Sequence, residues 1–209
     1  MNKVVRTSLL AILIPATVTL PPPLSAQETP REDLHYVGIL GTLFNYRSVT
    51  EIVEIDDRRV PTYTHAWGSG TSLVVGGHLT DLFHAEFRAG VGISDAELRS
   101  NDASLAIDHF ASWYIGMHYP ITDYANLYGQ FGFSYIKGDA DLRTDDAVSD
   151  FPELRDEFPE SSFGVSWLAG LDFEVVNNTY LVFEGGKLFE DTGTEVNTFQ
   201  FSGGLRYEF

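Results

Sequence analysis

Residues 84–93 read HAEFRAGVGI, and the stretch alternates without a break between apolar residues and polar residues or glycine. The apolar set is Ala85, Phe87, Ala89, Val91 and Ile93. The same period of two recurs at 161–175 and at 198–209. Side chains alternate between the two faces of a β-strand with this period. The pattern therefore predicts strands with one apolar face and one polar face.

Applied along the chain, the same test predicts eight strands. They lie near 34–44, 67–79, 84–94, 105–119, 126–136, 161–176, 179–189 and 197–209. The connections 45–66 and 137–160 are long, whereas 80–83, 120–125 and 177–178 are tight. An even strand number with short periplasmic turns and long extracellular loops is typical of single-chain bacterial outer-membrane barrels. The predicted fold is an all-β, eight-stranded antiparallel up-and-down transmembrane β-barrel, with both termini on the periplasmic side.

A soluble eight-stranded barrel is the alternative, because it shows the same alternation with its apolar face turned inward. The narrow lumen of such a barrel accommodates Gly, Ser and charged residues better than the face that carries Trp113, Trp167 and Phe131. Aromatic residues such as Tyr119 and Tyr207 also gather at strand ends, where membrane barrels have interfacial girdles. Both observations favour the outer membrane. Residues 35–40 fit either parity.

The N-terminus resembles an export signal. Lys3 and Arg6 precede an apolar segment at 9–20, and small residues follow at 24–26. The apolar segment is too short to span a bilayer. We therefore expect a cleaved signal peptide over 1–26 and one barrel domain over 27–209. The chain has no cysteine, which excludes disulfides and Cys-based zinc sites.

The chain is strongly acidic, with 30 Asp and Glu against 13 Lys and Arg and a net charge of −17. This balance argues against nucleic acid as a partner. The predicted loop 137–160 carries nine of the acids: Asp139, Asp141, Asp145, Asp146, Asp150, Glu153, Asp156, Glu157 and Glu160. We interpret this run as a solvated loop. Weak binding of divalent cations is the alternative, without a spacing that would preorganise the ligands.

Charged residues also occupy the polar faces of the predicted strands. They are Glu86, Arg88, Asp172, Glu174, Glu184, Arg206 and Glu208. Unpaired charge in a narrow lumen is costly, so each arginine is expected to be held by carboxylates. The first interpretation is a structural plug. The alternative is a gate or narrow ion path, which the excess of acids would make selective for cations.

Three histidines, His78, His84 and His118, flank predicted tight turns and point inward near the periplasmic mouth. Imidazole binds transition metals, but these residues come from different strands and lack a local ligand spacing. We interpret them as solvated rim residues and expect no metal and no cofactor.

A catalytic site would need a nucleophile and a base within hydrogen-bond reach. The best approximation is Asp108 and His109 with Ser112. On one strand, His109 is predicted to point outward while Asp108 and Ser112 point inward, so the three do not converge. An enzyme acting on lipid A is therefore not expected.

Three features resemble the transmembrane domain of the outer membrane protein A family of small barrels. The turn YPITD at 119–123 is followed by Leu127–Tyr128, and Glu86, Asp172 and Glu184 fall where the family carries lumenal carboxylates. The end of the chain, GLRYEF at 204–209, is similar to the family's terminal strand. The resemblance covers the barrel domain only.

The resemblance implies that the barrel assembly machinery recognises the terminal strand. The residues that match this assembly signal are Ser202, Gly204, Tyr207 and Phe209. The chain departs from the family at Gly116 and Val182, where the family has the lumenal Lys and Arg of its gate.

The expected function is a structural role in envelope integrity or a role in surface interaction. A narrow cation-preferring, porin-like channel is one alternative, and an adhesin or receptor that acts through loops 45–66 and 137–160 is another. The expected partners are outer-membrane lipid and lipopolysaccharide, the barrel assembly machinery and a possible extracellular partner at those loops.

Overall fold

The computed structural model describes residues 31–98, 102–154, 158, 162–190 and 196–209. The expected signal peptide at 1–26 lies outside these described residues. The strands within them are β1 His35–Ile55, β2 Arg58–His78, β3 Phe83–Ser94, β4 Ala96–Leu98, β5 Ala103–Thr122, β6 Ala125–Leu142, β7 Ser162–Val176, β8 Thr179–Glu190 and β9 Asn197–Glu208. A short helix, α1, spans Asp145–Asp150, and a 3₁₀ turn spans Pro152–Leu154.

The strands close into one antiparallel ring. Consecutive strands pair, and β9 pairs with β1, where Gly41 lies opposite Gly203. The short β4 continues β3 beyond Asp95, and both pair with β5. The ring therefore has eight strand positions, and closure removes the exposed edges of an open sheet. The prediction of an all-β, eight-stranded antiparallel up-and-down barrel is confirmed.

The two faces of the wall have the polarity of a membrane barrel. On β3, Phe87 is 50% exposed on the outside, whereas Arg88 is 2% exposed in the lumen. The same alternation fixes the parity of β1, which the sequence left open. Tyr36 faces the lumen and Ile39 faces outward, because burial alternates from His35 onward. The apolar face is thus the outer surface, as it is in contact with lipid.

The segment 45–66 is a β-hairpin, so its interpretation as a loop was wrong. β1 and β2 remain paired up to Ile55 opposite Arg58, with one irregularity between Tyr46 and Val49. The turn residues Asp56 and Asp57 both have positive φ, 50° and 60°. Two residues of this conformation form the type I′ turn that suits the twist of a hairpin. The pairing was missed because alternation in this segment is mostly polar.

The described part of the acidic segment, 137–154 with Phe158, is also more ordered than expected. β6 continues to Leu142, and α1 and the 3₁₀ turn follow. Thr144 begins the helix as its N-cap, and its side chain accepts a hydrogen bond from the Ala147 amide at 3.0 Å. Most of its described acids are exposed, as in a solvated segment, but the interpretation as a loop was wrong, because the described residues form regular structure and fold back over the barrel.

Candidate functional site

The periplasmic half of the lumen is organised around Arg88. Its Nη2 donates to Glu184 Oε2 at 2.9 Å and to Gln130 Oε1 at 3.0 Å, while Nη1 also donates to Glu184 and Nε donates to Glu86. The same two carboxylates accept from tyrosines, Glu86 from Tyr36 at 2.9 Å and Glu184 from Tyr128 at 2.8 Å. Arg88 thus pairs with an acid on its own strand, β3, and with one across the lumen on β8.

A second arginine, Arg206 on β9, lies nearer the periplasmic mouth. Its Nη2 donates to Asp172 Oδ2 at 2.6 Å and lies 3.5 Å from Glu208 Oε1. Asp172 also accepts from Asn126 at 2.6 Å. Arg31, just before β1, adds a further ion pair to Glu208 at 3.3 Å. We call Arg88 and Arg206 with Glu86, Glu184, Asp172 and Glu208 the arginine network.

The arginine network leaves little room for solvent. Its four carboxylates and two arginines are at most 7% exposed, and the Arg206 guanidinium lies 4.8 Å from the ring centroid of Tyr36. The cavity between Leu40, Val74 and Arg88 measures about 10 Å³. A single buried water needs about that much space. In the described structure this half of the lumen is a packed plug.

Six of the seven predicted lumenal charges lie in the arginine network, and Glu174 does not. Glu174 is half-buried at the end of β7, where its Oε1 accepts from the amide of Asn178 in the β7–β8 turn at 2.9 Å. The pairing of β7 with β8 is irregular between Glu174 and Val176. Glu174 nevertheless lies opposite the buried Tyr180, on the same face of β7 as Asp172, and its place among the lumenal charges stays a prediction.

The three inward histidines are buried, so their interpretation as solvated rim residues was wrong. His78, His84 and His118 are 3%, 0% and 2% exposed. His78 Nε2 lies 3.3 Å from Glu208 Oε1, and His84 Nε2 lies 2.7 Å from Gln130 Nε2. They pack beside the arginine network as part of the plug. Among the described residues, no group of three His, Asp or Glu side chains is arranged to hold a metal ion.

The extracellular half of the lumen is apolar. Inward residues of several strands, including Phe44, Leu105 and Phe110, form a buried core there. The segment after β6 completes this core with Ala147, Phe151, Leu154 and Phe158. We call residues 144–154 with Phe158 the cap. Its apolar side chains fill the extracellular end of the barrel, which the acidic composition of the segment concealed.

Polar contacts hold the cap on its solvent side. Arg59, near the tip of the β1–β2 hairpin, donates to the Ser149 carbonyl at 2.7 Å and to Asp150 at 3.2 Å. Arg143, just before the cap, donates to Glu97 at 2.9 Å and to Asp141 at 3.2 Å. Its hydrogen bonds to these two carboxylates raise the pKa of the Arg143 guanidinium. The hairpin and the cap therefore form one connected extracellular surface.

The residues of the expected assembly signal lie on β9 and at its end. Tyr207 and Phe209 point outward and stack at 6.2 Å between ring centroids. Ser202 points inward and hydrogen-bonds to Thr42 at 3.0 Å. At Gly204 a Cβ atom would lie 2.1 Å from the Ile39 carbonyl oxygen, so β1 and β9 can approach there only because the residue is glycine.

An eight-position ring with an apolar outer wall and a filled lumen defines an outer-membrane β-barrel protein. The chain belongs to the outer membrane protein beta-barrel domain family, whose model matches residues 17–209. The predicted relation to small outer-membrane barrels and the predicted location in the outer membrane are confirmed.

Solved structures of small outer-membrane barrels share the fold. OprG from Pseudomonas aeruginosa has a TM-score of 0.54 at 12% identity, over 86% of this chain and 97% of that one. Neisserial surface protein A (NspA) has a TM-score of 0.53 at 16% identity, over 85% of this chain and 100% of that one. No curated protein matches the chain in sequence. None of the helices in the described residues is long and apolar enough to cross a membrane.

Proposed function

We propose that this protein is a closed, non-catalytic barrel that supports envelope integrity and presents an extracellular surface for interaction. The observation that carries the proposal is the closure of the lumen at both ends. The arginine network fills the periplasmic half, and the apolar core and the cap fill the extracellular half. Such a barrel spans the membrane without opening a path through it.

The competing proposal is a narrow cation-preferring channel, which needs a continuous wet path. The four acids of the arginine network would favour cations, but two of them are bound by Arg88 and two by Arg206. Above them, Phe110 and Phe151 belong to a buried core of apolar side chains that narrows any path. We therefore expect no stable conductance steps when the refolded barrel is inserted in a planar bilayer. Large, stable steps in the unmodified protein would refute the closed barrel and favour the channel.

The same geometry supports a role without catalysis. Ser112 is fully buried, and its hydroxyl shares a hydrogen bond of 2.7 Å with Ser134. His109 faces outward and Asp108 is also exposed, because the β5–β6 pairing is irregular between Ile107 and His109. The expectation that Asp108 points inward was wrong, and it is no better placed to assist Ser112.

The interaction surface consists of the hairpin at 45–66 and the cap within 137–160. The Arg59 contacts to α1 hold the hairpin and the cap together. A surface of ordered loops held in this way suits the binding of an extracellular partner. Shortening the hairpin at the Val49–Thr64 pair should abolish binding to target cells without lowering the amount of barrel in the membrane. Unchanged binding by the shortened protein would show that the hairpin is not part of the interaction surface.

The route to the membrane is part of the proposal. We expect residues 1–26 to be cleaved on export and residues 27–209 to form the barrel domain. The barrel assembly machinery would then recognise β9 through Ser202, Gly204, Tyr207 and Phe209. In the membrane, phospholipid and lipopolysaccharide surround the apolar outer wall.

A further inference from the structure

A row of exposed aromatic side chains continues from the outer wall onto the β1–β2 hairpin. Tyr63, His65 and Trp67 alternate with Thr64 and Ala66 along β2, so the three lie on its outward face. We call Tyr63, His65 and Trp67 the aromatic row. Trp67 is 51% exposed, and Tyr63 is 75% exposed, the largest fraction among the large apolar side chains of the described residues. His65 is exposed as well, so the aromatic row is an uncovered face of the hairpin.

The lower end of the aromatic row belongs to the lipid-facing wall. Along β2, Trp67 lies on the same outward face as Leu73 and Val75, which are nearer the periplasm. Its ring lies 5.9 Å from that of Phe201 on β9. Tryptophan gathers at the level where the hydrocarbon meets the headgroups. Trp67 therefore marks this boundary on β2.

The upper end of the aromatic row stands clear of the barrel wall. β2 pairs with β3 only from Ser69 onward, so beyond Trp67 its paired neighbour among the described strands is β1 alone. Strand residues rise about 3.3 Å each, which places Tyr63 roughly 13 Å beyond Trp67 along β2. At a strand tilt of about 45°, this distance corresponds to roughly 9 Å of height. Tyr63 therefore lies beyond the hydrocarbon, at the level of the sugars that the outer leaflet carries.

We infer that the aromatic row binds the core sugars of the lipopolysaccharide around the barrel. The inference rests on the proposed function, because it names a contact of the proposed hairpin surface with the proposed surrounding lipid. The C–H bonds of a sugar ring carry small positive partial charges, and the negative face of an aromatic ring attracts them. Thr50, directly opposite Tyr63, and His65 supply hydrogen-bonding groups for sugar hydroxyls. Sugar fits this face better than phosphate does, because residues 61–67 contain no Lys or Arg.

Titration of the refolded full chain with core oligosaccharide, freed of lipid A, tests the inference. This probe has no acyl chains that could contact the wall. Calorimetry measures its affinity, and a tryptophan fluorescence change that is absent from Trp67→Phe locates the contact. Tyr63→Leu keeps an apolar side chain but loses the ring, and it should weaken binding about fivefold. Tyr63→Phe keeps the ring and should bind within about twofold of the unmodified protein.

The matched control is Tyr119→Leu, which removes a ring that is 66% exposed near the periplasmic end of β5. It should bind as the unmodified protein does. Absence of binding to the unmodified protein, full affinity in Tyr63→Leu, an equal loss in Tyr119→Leu, or a fluorescence change that persists in Trp67→Phe would each overturn the inference. If Tyr63→Leu does not refold, Trp67→Leu should show the same loss by calorimetry.

Failure of the proposed function would appear separately, as conductance steps or as unchanged cell binding by the shortened hairpin. Neither result would alter the affinity of the full chain for the oligosaccharide.

Discussion

Removing Arg88 tests whether the lower lumen is a dry, charge-paired plug. Arg88 is 2% exposed, and truncation to Ala leaves Glu86 and Glu184 with the hydroxyls of Tyr36 and Tyr128 but without a cation. The adjoining cavity of about 10 Å³ holds about one water, so the two carboxylates can be hydrated only through the space that the truncation itself opens. Breaking a buried pair from one side costs about 3–5 kcal/mol, and we expect Arg88→Ala to lose that much stability.

Urea unfolding of the refolded barrel in lipid vesicles, followed by the heat-dependent shift on gels, measures this loss. Arg59→Ala is the matched control, because it breaks an ion pair with Asp150 in which the arginine side chain is 58% exposed. Exposed pairs contribute at most about 1 kcal/mol. The double variant Arg88→Met with Glu184→Gln should recover part of the stability, since it removes both charges of one pair. An unchanged midpoint in Arg88→Ala would show that water fills the lower lumen and that the plug interpretation is wrong.

Three further predictions follow from the cap and from β9. Phe151→Ala should destabilise the cap by about 3 kcal/mol and expose it to protease, because Phe151 is fully buried. The control Pro152→Ala, on the exposed side, should change neither the urea midpoint nor the digestion pattern. Gly204→Ala should impair folding, because its Cβ would lie 2.1 Å from the Ile39 carbonyl oxygen. Gly203→Ala should fold normally, because the atom closest to its Cβ, on the Phe183 ring, is 3.5 Å away. Equal yields of heat-modifiable barrel from the two variants would contradict this. Deletion of Phe209 should block assembly in the outer membrane and affect refolding in detergent less, and normal membrane levels of protease-resistant barrel would rule out a role as assembly signal.

The ring was predictable because period two persists wherever one face meets lipid and the other the lumen. The extent of the strands was not, because β1 and β2 continue beyond the membrane, where neither face needs to be apolar. The same limit applies to the cap. Phe151, Leu154 and Phe158 have spacings suited to one face of a helical segment, but the surrounding acids outweighed that signal.

The composition of the lumen was predictable, but its pairing was not. Parity places Arg206 inward, yet its partner Asp172 lies on β7, two positions away around the ring. Such pairs depend on the relative register of all strands, which no single segment encodes.

The arginine network and the apolar core, which fill the two halves of the lumen, lose stability under different conditions. Ion pairs of buried carboxylates are lost when acid protonates the carboxylates. Apolar packing withstands acid but weakens as the temperature falls. In acid the apolar filling of the extracellular half would remain, and in the cold the ion-paired filling of the periplasmic half would remain. The filling of the lumen therefore does not depend on one kind of interaction.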